Sequence, residues 1–559
     1  MEQEKPEIVN IAKYLKEQAE DKPYKRAVVV PSGVDKSGLI QYSQLTFQQL
    51  DQLSDDMAYG LQKAGITRGT KTILMVKPCI DFFALTYALF KVGAVPVVVD
   101  PGMGVKRMIE CLDSTEAEAF IGIPVAHVLR TFAFKSFKSV KTWVTVGKKL
   151  FWGGYTLDQI KQPSTTPFEY VKTTKDETAA ILFTTGSTGP AKGVVYTHGT
   201  FDAQIKNIQA HFQITGDEID LPTFPLFALF DPALGMTAII PDMDPTKPAL
   251  VNPKKIIEAI QNQGVTNMFA SPALLNRVGK YGKENNIKLP SLKRVVSAGA
   301  PVAPKNIEQF CSMFVGETQI HTPYGATESV PILSIESNEI LSETKNLSEE
   351  GYGTCIGRPV QDADIKIIQI SDDPINTWSD ELVVSSGEVG EITVKGSLVT
   401  NSYYNNPEAN RYAKIQENGH IRHRMGDLGW LDNSGRVWFC GRKNHRVITG
   451  SGTLYTISCE AIFNNHPDVY RSALVGIGAE KIKTPVICIE LEPHQSERSQ
   501  LDIKNELLAL AQTFENTKSI RHLLFHKSFP VDIRHNSKIF REELAIWAET
   551  KIPAKQLAT

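Results

Sequence analysis

Paired cysteines, basic clusters and unbroken apolar runs are all missing from this 559-residue chain. Its seven cysteines, at 79, 111, 311, 355, 440, 459 and 488, form no CxxC pair, which argues against a disulfide framework and against a cysteine-based zinc site. The formal net charge is −2. No basic excess marks a nucleic-acid surface, and no acidic tail marks a solvating one. The most apolar window, Leu221–Pro241, reaches spanning length, but Pro222, Pro225, Pro232 and Asp231 interrupt it. A buried core or pocket wall is expected there rather than a transmembrane segment. The first residues, MEQEKPEIVNIAKYLKEQ, are too charged for a signal peptide. With 42% hydrophobic and 22% charged residues, the composition suits a soluble, cytoplasmic, enzyme-like protein of two or more domains.

What is present centres on Ile181–Val195, ILFTTGSTGPAKGVV. A strand-like apolar run stops at a Thr/Gly/Ser loop carrying Lys192. Glycines let backbone N–H groups converge there, and the hydroxyls of Thr184, Thr185, Ser187 and Thr188 with one ammonium suit a polyphosphate. The loop alone could also be a plain turn between strands. It is not the GxxxxGK[ST] phosphate loop, because Ala191 precedes Lys192.

Helical spacing at 8–22 and at Leu45–Gly65 leads into strand-like TILMVK, helix-like DFFALTYALFKVG and strand-like Ala94–Asp100. The alternation continues through 141–147, 179–185, 265–271 and 292–299, which predicts layered α/β architecture with largely parallel sheets. After about residue 386 short alternating strands predict antiparallel β structure, with Asn433–Gly435 as a hairpin turn. A smaller α+β unit is expected from Val447, and the boundary falls in the charged stretch Gly441–Arg446. The expected division is therefore 1–440, a hinge at 441–446, and 447–559.

Four further stretches join the loop. Ser297–Pro301 (SAGAP) gives a Gly turn against which a planar ring can lie. His321–Glu328 (HTPYGATE) gathers an aromatic ring, a hydroxyl and a magnesium-type carboxylate. Asp427 in RMGDLGW, with Arg442 after it, suits vicinal ribose hydroxyls. Lys538 stands between a polar loop and a final helix. Each of these alone has an ordinary structural explanation.

In order and spacing, TTGSTGPAKG, SAGAP, YGATE, GDLGW, GR and a late Lys resemble the adenylate-forming superfamily of acyl-CoA synthetases, luciferases and peptide-synthetase adenylation domains. The resemblance runs from about residue 40 to 545. It implies two α/β subdomains plus a β-barrel-like one, and a small mobile C-terminal lid. It also implies ATP and Mg2+ as cofactors. Thr184, Thr185, Gly186, Ser187, Thr188, Gly189 and Lys192 would hold the β- and γ-phosphates. Gly299, Ala300 and Pro301 would line the adenine, with Tyr324 stacked on it, Gly325 beside it and Thr322 at its amino edge. Thr327 would contact the α-phosphate, Glu328 the magnesium, and Asp427 and Arg442 the ribose. Lys538 would bridge carboxylate and α-phosphate, so that Lys538, Thr327 and Lys192 form the catalytic set.

By position, Phe224, Phe227, Phe230, Leu234 and Met236 would line the acid pocket. These side chains offer no cation to read an amino group, so a fatty acid fits better than an amino acid. The chain departs from the family at Ala228 in PLFA, at the hinge GRKNHRVITGSG with His445 where an acid is common, and at Ser537 before the late Lys. The altered hinge weakens the case for CoA as acceptor. FPLFALFDPALGMTAIIPDMDPTKPA, VDPGMG at 99–104 and LYTISCEAIF at 454–463 are most similar to the β-lactone synthetases of bacterial long-chain olefin biosynthesis. These adenylate a β-hydroxy fatty acid and let its own hydroxyl displace AMP, in a pathway with other enzymes. Fatty acyl-CoA ligation is the alternative, and a non-catalytic nucleotide-binding scaffold is the alternative of another class.

Overall fold

The structure, a computed structural model, describes residues 7–184, 191–479, 482–492, 498–531 and 538–552. Its first long helix, Phe47–Lys63, starts at a reciprocal cap: Gln49 N donates to Thr46 Oγ1 at 3.2 Å and Thr46 N to Gln49 Oε1 at 2.9 Å. It stops two residues before Gly65, whose φ of +86° is left-handed. The next helix, Ile80–Lys91, is apolar on every face and is buried from Phe82 to Lys91, as expected of a helix enclosed by two layers. Its one interior cation, Lys91, is paired with Asp51 and Asp55 at 2.5 Å each.

Two seven-stranded sheets carry the body. One runs Tyr155–Thr156, Thr142–Thr145, Ala119–Gly122, Lys71–Met75, Val95–Val99, Thr178–Thr184 and Lys192–Thr197. The other runs Gln319–His321, Arg294–Ser297, Asn267–Ala270, Ile219–Pro222, Thr237–Ile239, Arg26–Val34 and Ile40–Thr46. Both are parallel except at one edge, where a hairpin partner turns the last pair antiparallel. The expected alternation of strands and helices is present at each of the stretches named above.

The third sheet is eight-stranded and antiparallel. It begins at Tyr324–Ala326, well before residue 386 where the alternation in the sequence becomes visible. Its early strands escape notice because they are short and broken by irregularities, such as the one at Gly357, where φ is +84°. The expected hairpin joins His420–Leu431 to Val437–Arg442, with Asp432 accepting from Ser434 N and Arg436 N at 2.8 and 2.9 Å. Past Gly441, where a Cβ would lie 2.3 Å from Thr456 Oγ1, the chain enters a unit with its own core. There Val469–Ile477, Thr484–Leu491 and His522–Phe525 form a sheet packed by Thr456–Asn464, Gln500–Ala511 and Arg541–Lys551. No described helix is long and apolar enough to cross a membrane.

Candidate active site

A cavity of about 2240 Å³ collects most of the expected site residues that lie among the described ones. At one end of the cavity, Thr184 pairs with Lys192 across two antiparallel strands. The Thr184 side chain and Thr185, Gly186, Ser187, Thr188 and Gly189 lie outside the described residues. Lys192 lines the cavity, with its ammonium 5.0 Å from the centre of the Tyr403 ring.

Thr327 and Glu328 are the two turn residues of a tight hairpin in which Ala326 opposes Ser329. Glycine is required one step earlier, because a Cβ on Gly325 would lie 2.6 Å from Ser329 O. Tyr196 pins the turn from the neighbouring sheet, its hydroxyl donating to Thr327 O at 2.5 Å. Glu328 is held on two sides. Tyr403 Oη donates to its Oε1 at 2.6 Å, and Thr400 donates to its carbonyl through N at 2.9 Å and Oγ1 at 3.0 Å.

Behind Glu328 lies a polar cluster that the motifs do not announce. Lys414 Nζ donates to Thr400 O at 2.5 Å and stands 5.5 Å from the Tyr403 ring, on which Lys192 also bears. Burial pushes the Lys414 ammonium down to about 7, while Glu328 works in the opposite direction. His423 lies beside it, held far below the usual imidazole range by burial and by Lys414. It is therefore a neutral ring, with Nδ1 3.1 Å from Ala413 O. Lys414 opens a short strand next to a surface helix, a position at which a solvated lysine is the ordinary reading.

Farther along the cavity, Asp427 and Arg442 are directly opposed on neighbouring strands, with Arg442 Nη1 3.0 Å from Asp427 Oδ1. Burial pushes the Asp427 carboxyl up; the guanidinium and the Tyr324 hydroxyl, which donates to Asp427 Oδ2, pull it back. Tyr324 thus presents a ring to the cavity while its hydroxyl orients the carboxylate. Gly299, with φ +98°, turns the chain, and Ala300 and Pro301 follow it along the cavity wall. Thr322 also lines the cavity, with both N and Oγ1 directed to Ile335 O at 2.9 and 3.4 Å.

Lys538 reaches the same cavity from the C-terminal unit. The chain just after it is fixed at successive residues: Ile539 bridges Val531, Phe540 N donates to Pro530 O at 2.9 Å, and Arg541 forks onto buried Glu460 at 2.5 and 2.9 Å. The stretch 441–446, expected as a hinge, is tied to the preceding chain. Lys443 Nζ donates to Ser371 O at 2.8 Å and Arg446 bonds Asp372 at 2.5 Å. His445 sits 3.4 Å from Glu542; burial and the nearby Arg541 and Arg442 press its imidazole down to about 3.

Phe224, Phe227 and Phe230 form an aromatic wall of the cavity, continued by Phe269, whose ring is 4.3 Å from Phe227. Leu234 and Met236 do not line it. After the helix Phe230–Ala233, Gly235 takes a φ of +74° and sends the chain into the strand Thr237–Ile239. The two side chains therefore pack with Phe212, Ile214 and Val296 in the core. Their place is taken by Tyr87, Phe90 and Phe201 from two helices. Those helices gave no signal of this, because a pocket wall and a core face have the same apolar spacing. Behind the wall, Asp220 and Asp231 form a buried carboxyl pair. Burial, with the Glu218 charge adding to it, pushes Asp220 up to about 7; burial and the neighbouring Asp220 push Asp231 well above the usual carboxylate range, so the pair holds a proton.

The profile of the AMP-binding enzyme family matches residues 15–404. The chain is 46% identical to an olefin beta-lactone synthetase of Stenotrophomonas maltophilia, over 97% of this chain and 98% of that protein. It is 44% identical to an olefin beta-lactone synthetase of Xanthomonas campestris pv. campestris, over 97% and 98%. The O-succinylbenzoate coenzyme A synthetase of Bacillus subtilis, solved with ATP and a magnesium ion, superposes with a TM-score of 0.73 at 21% identity, over 95% and 98%.

Proposed function

Because the chain belongs to the AMP-binding enzyme family, we propose that it condenses ATP with a long-chain β-hydroxy fatty acid and then closes the product to a β-lactone. The observation that carries this reading is the near-full-length similarity to two olefin beta-lactone synthetases. In the first step a carboxylate oxygen attacks the α-phosphorus and the bond to pyrophosphate breaks. In the second the β-hydroxyl oxygen attacks the acyl carbon, the acyl–phosphate bond breaks, AMP leaves, and the hydroxyl proton passes to solvent. The attacking group is already tethered, so proximity replaces a second substrate.

The first step brings two anions together, and the chain's own part is to position and neutralise them. Lys192 and the loop Thr184–Gly189 hold the β- and γ-phosphates, and Thr327 the α-phosphate. Lys538 bridges that phosphate and the carboxylate. Asp427 and Arg442 take the ribose, while Tyr324, Gly325, Thr322 and Gly299–Pro301 enclose the adenine. Among the described residues no three His, Cys, Asp or Glu side chains could hold a metal ion. A single oriented carboxylate, Glu328, suits magnesium, which binds through one or two carboxylates plus phosphates. When bound, the ion neutralises phosphate charge. Phe224, Phe227 and Phe230 bury the alkyl chain. Residues 441–446 act as the hinge between 1–440 and the lid 447–559.

Mass spectrometry of the products from ATP, magnesium and a long-chain β-hydroxy acid, with and without CoA, tests the reading. A β-lactone formed without CoA is expected. An acyl-CoA formed only when CoA is added would make the protein a fatty acyl-CoA ligase.

A further inference from the structure

We infer that Gln204 is a specificity-determining residue whose amide oxygen accepts a hydrogen bond from the substrate's β-hydroxyl. Gln204 is oriented by its neighbour Tyr196. That phenol has one proton, and it goes to Thr327 O at 2.5 Å. Toward Gln204 it therefore only accepts, and Gln204 Nε2 approaches it at 3.5 Å. The amide orientation is fixed by this one-way chain, which leaves Oε1 without a donor among the described residues. Gln204 is 1% exposed, its side chain lines the cavity, and Oε1 has no hydrogen-bond partner among the described residues. Buried amide oxygens are rarely left bare, and one on a residue that lines a ligand cavity calls for a donor that arrives with the ligand.

Its place in the cavity indicates which donor. Thr327 marks the α-phosphate end, and Tyr196 stands one hydrogen bond from it, with Gln204 one further. Phe201, three residues earlier on the helix His198–His211, stacks on Tyr196 at 4.6 Å and 29° and faces Phe230 at 6.2 Å. The bare oxygen thus lies where the phosphate end meets the aromatic wall, beside the first carbons of the acyl chain. An unsubstituted chain would pass methylene groups there and leave Oε1 unpaired. A β-hydroxyl donates its proton to Oε1 and keeps its lone pairs for attack on the acyl carbon. A neutral amide does not take that proton, so Gln204 selects and aims the nucleophile. This assignment rests on the proposed lactone reading.

The test is the ratio of kcat/KM for a β-hydroxy acid to that for the unsubstituted acid of equal length, read as pyrophosphate release. The wild type is expected to favour the hydroxy acid by about tenfold to a hundredfold, as for a site built to bond a substrate hydroxyl. In Gln204→Leu and in the length-matched Gln204→Met the ratio is expected to fall toward one, mainly through the hydroxy acid. Thermal melting of each variant separates this from misfolding, and either variant that folds decides the matter. A ratio unchanged in a folded variant, or a wild type indifferent to the hydroxyl, overturns the inference. A wild type that releases pyrophosphate with neither acid overturns the adenylation reading instead.

Discussion

The two ends of the cavity are built on opposite plans. At the nucleotide end polar side chains are tied to protein partners: Tyr324 to Asp427 to Arg442, Tyr403 to Glu328, and Tyr196 to the Thr327 carbonyl. At the end proposed to take the acid, aromatic rings dominate, and Gln204 beside them carries an oxygen with no described partner. Groups that must meet high charge without rearranging are held before the ligand arrives, as electrostatic preorganisation requires. The acid end is left to discriminate, by burial and by a single hydrogen bond.

Breaking the nucleotide end is expected to have the largest effect. Lys538→Ala should lower adenylate formation by ~100-fold or more while ATP binding persists, as for the loss of one charge-stabilising donor. Pyrophosphate release together with a nucleotide-binding titration checks both halves of that statement. Normal release would remove Lys538 from its role. Tyr403→Phe removes only the bond that orients Glu328, and a fall of about tenfold is expected. It should be accompanied by a higher magnesium requirement in a titration of the same assay.

At the acid end the comparison sharpens between neighbouring residues. Phe227→Ala should shift chain-length preference several-fold, because that ring borders the cavity. Leu234→Ala, in the core behind it, should cost about 2–5 kcal/mol of stability and leave chain-length preference alone. Denaturant unfolding and a series of acids of graded length separate the two.

The smallest effect concerns the carboxyl pair behind the wall. Asp220 is raised to about 7 and Asp231 well above the usual carboxylate range, whereas unfolded aspartates ionise near 4. Between about pH 4 and 7 the native state holds a proton the unfolded chain has released, so stability falls as pH rises through that window. Asp231→Asn keeps a donor toward Asp220 with no proton to lose. It is expected to flatten this dependence and raise Tm by about 2 °C at pH 8, as read by thermal melts across pH.

Most of the body was legible because periodicity and capping are local. The fully apolar helix Ile80–Lys91 and the capped helix Phe47–Lys63 declare themselves within their own residues. The onset of the antiparallel sheet at Tyr324 did not, because short irregular strands carry too few alternations to register. At the site, Asp427 and Arg442 were readable from their motifs, and the sheet register shows why they travel together. Tyr403, Lys414 and His423 were not readable, since their polarity has meaning only once remote strands bring them behind Glu328. Leu234 and Met236 were assigned to the pocket by position along the chain, and the turn at Gly235 redirects them.

The central claim is that the carboxylate is activated and the hydroxyl attacks. A β-hydroxy acid carrying oxygen-18 in both carboxyl positions tests it most directly. The account predicts that AMP leaves with one labelled oxygen and that the lactone keeps the other in its carbonyl, with an unlabelled ring oxygen. Unlabelled AMP and a lactone carrying both labels would mean that the hydroxyl is activated and the carboxylate attacks, and would contradict the account.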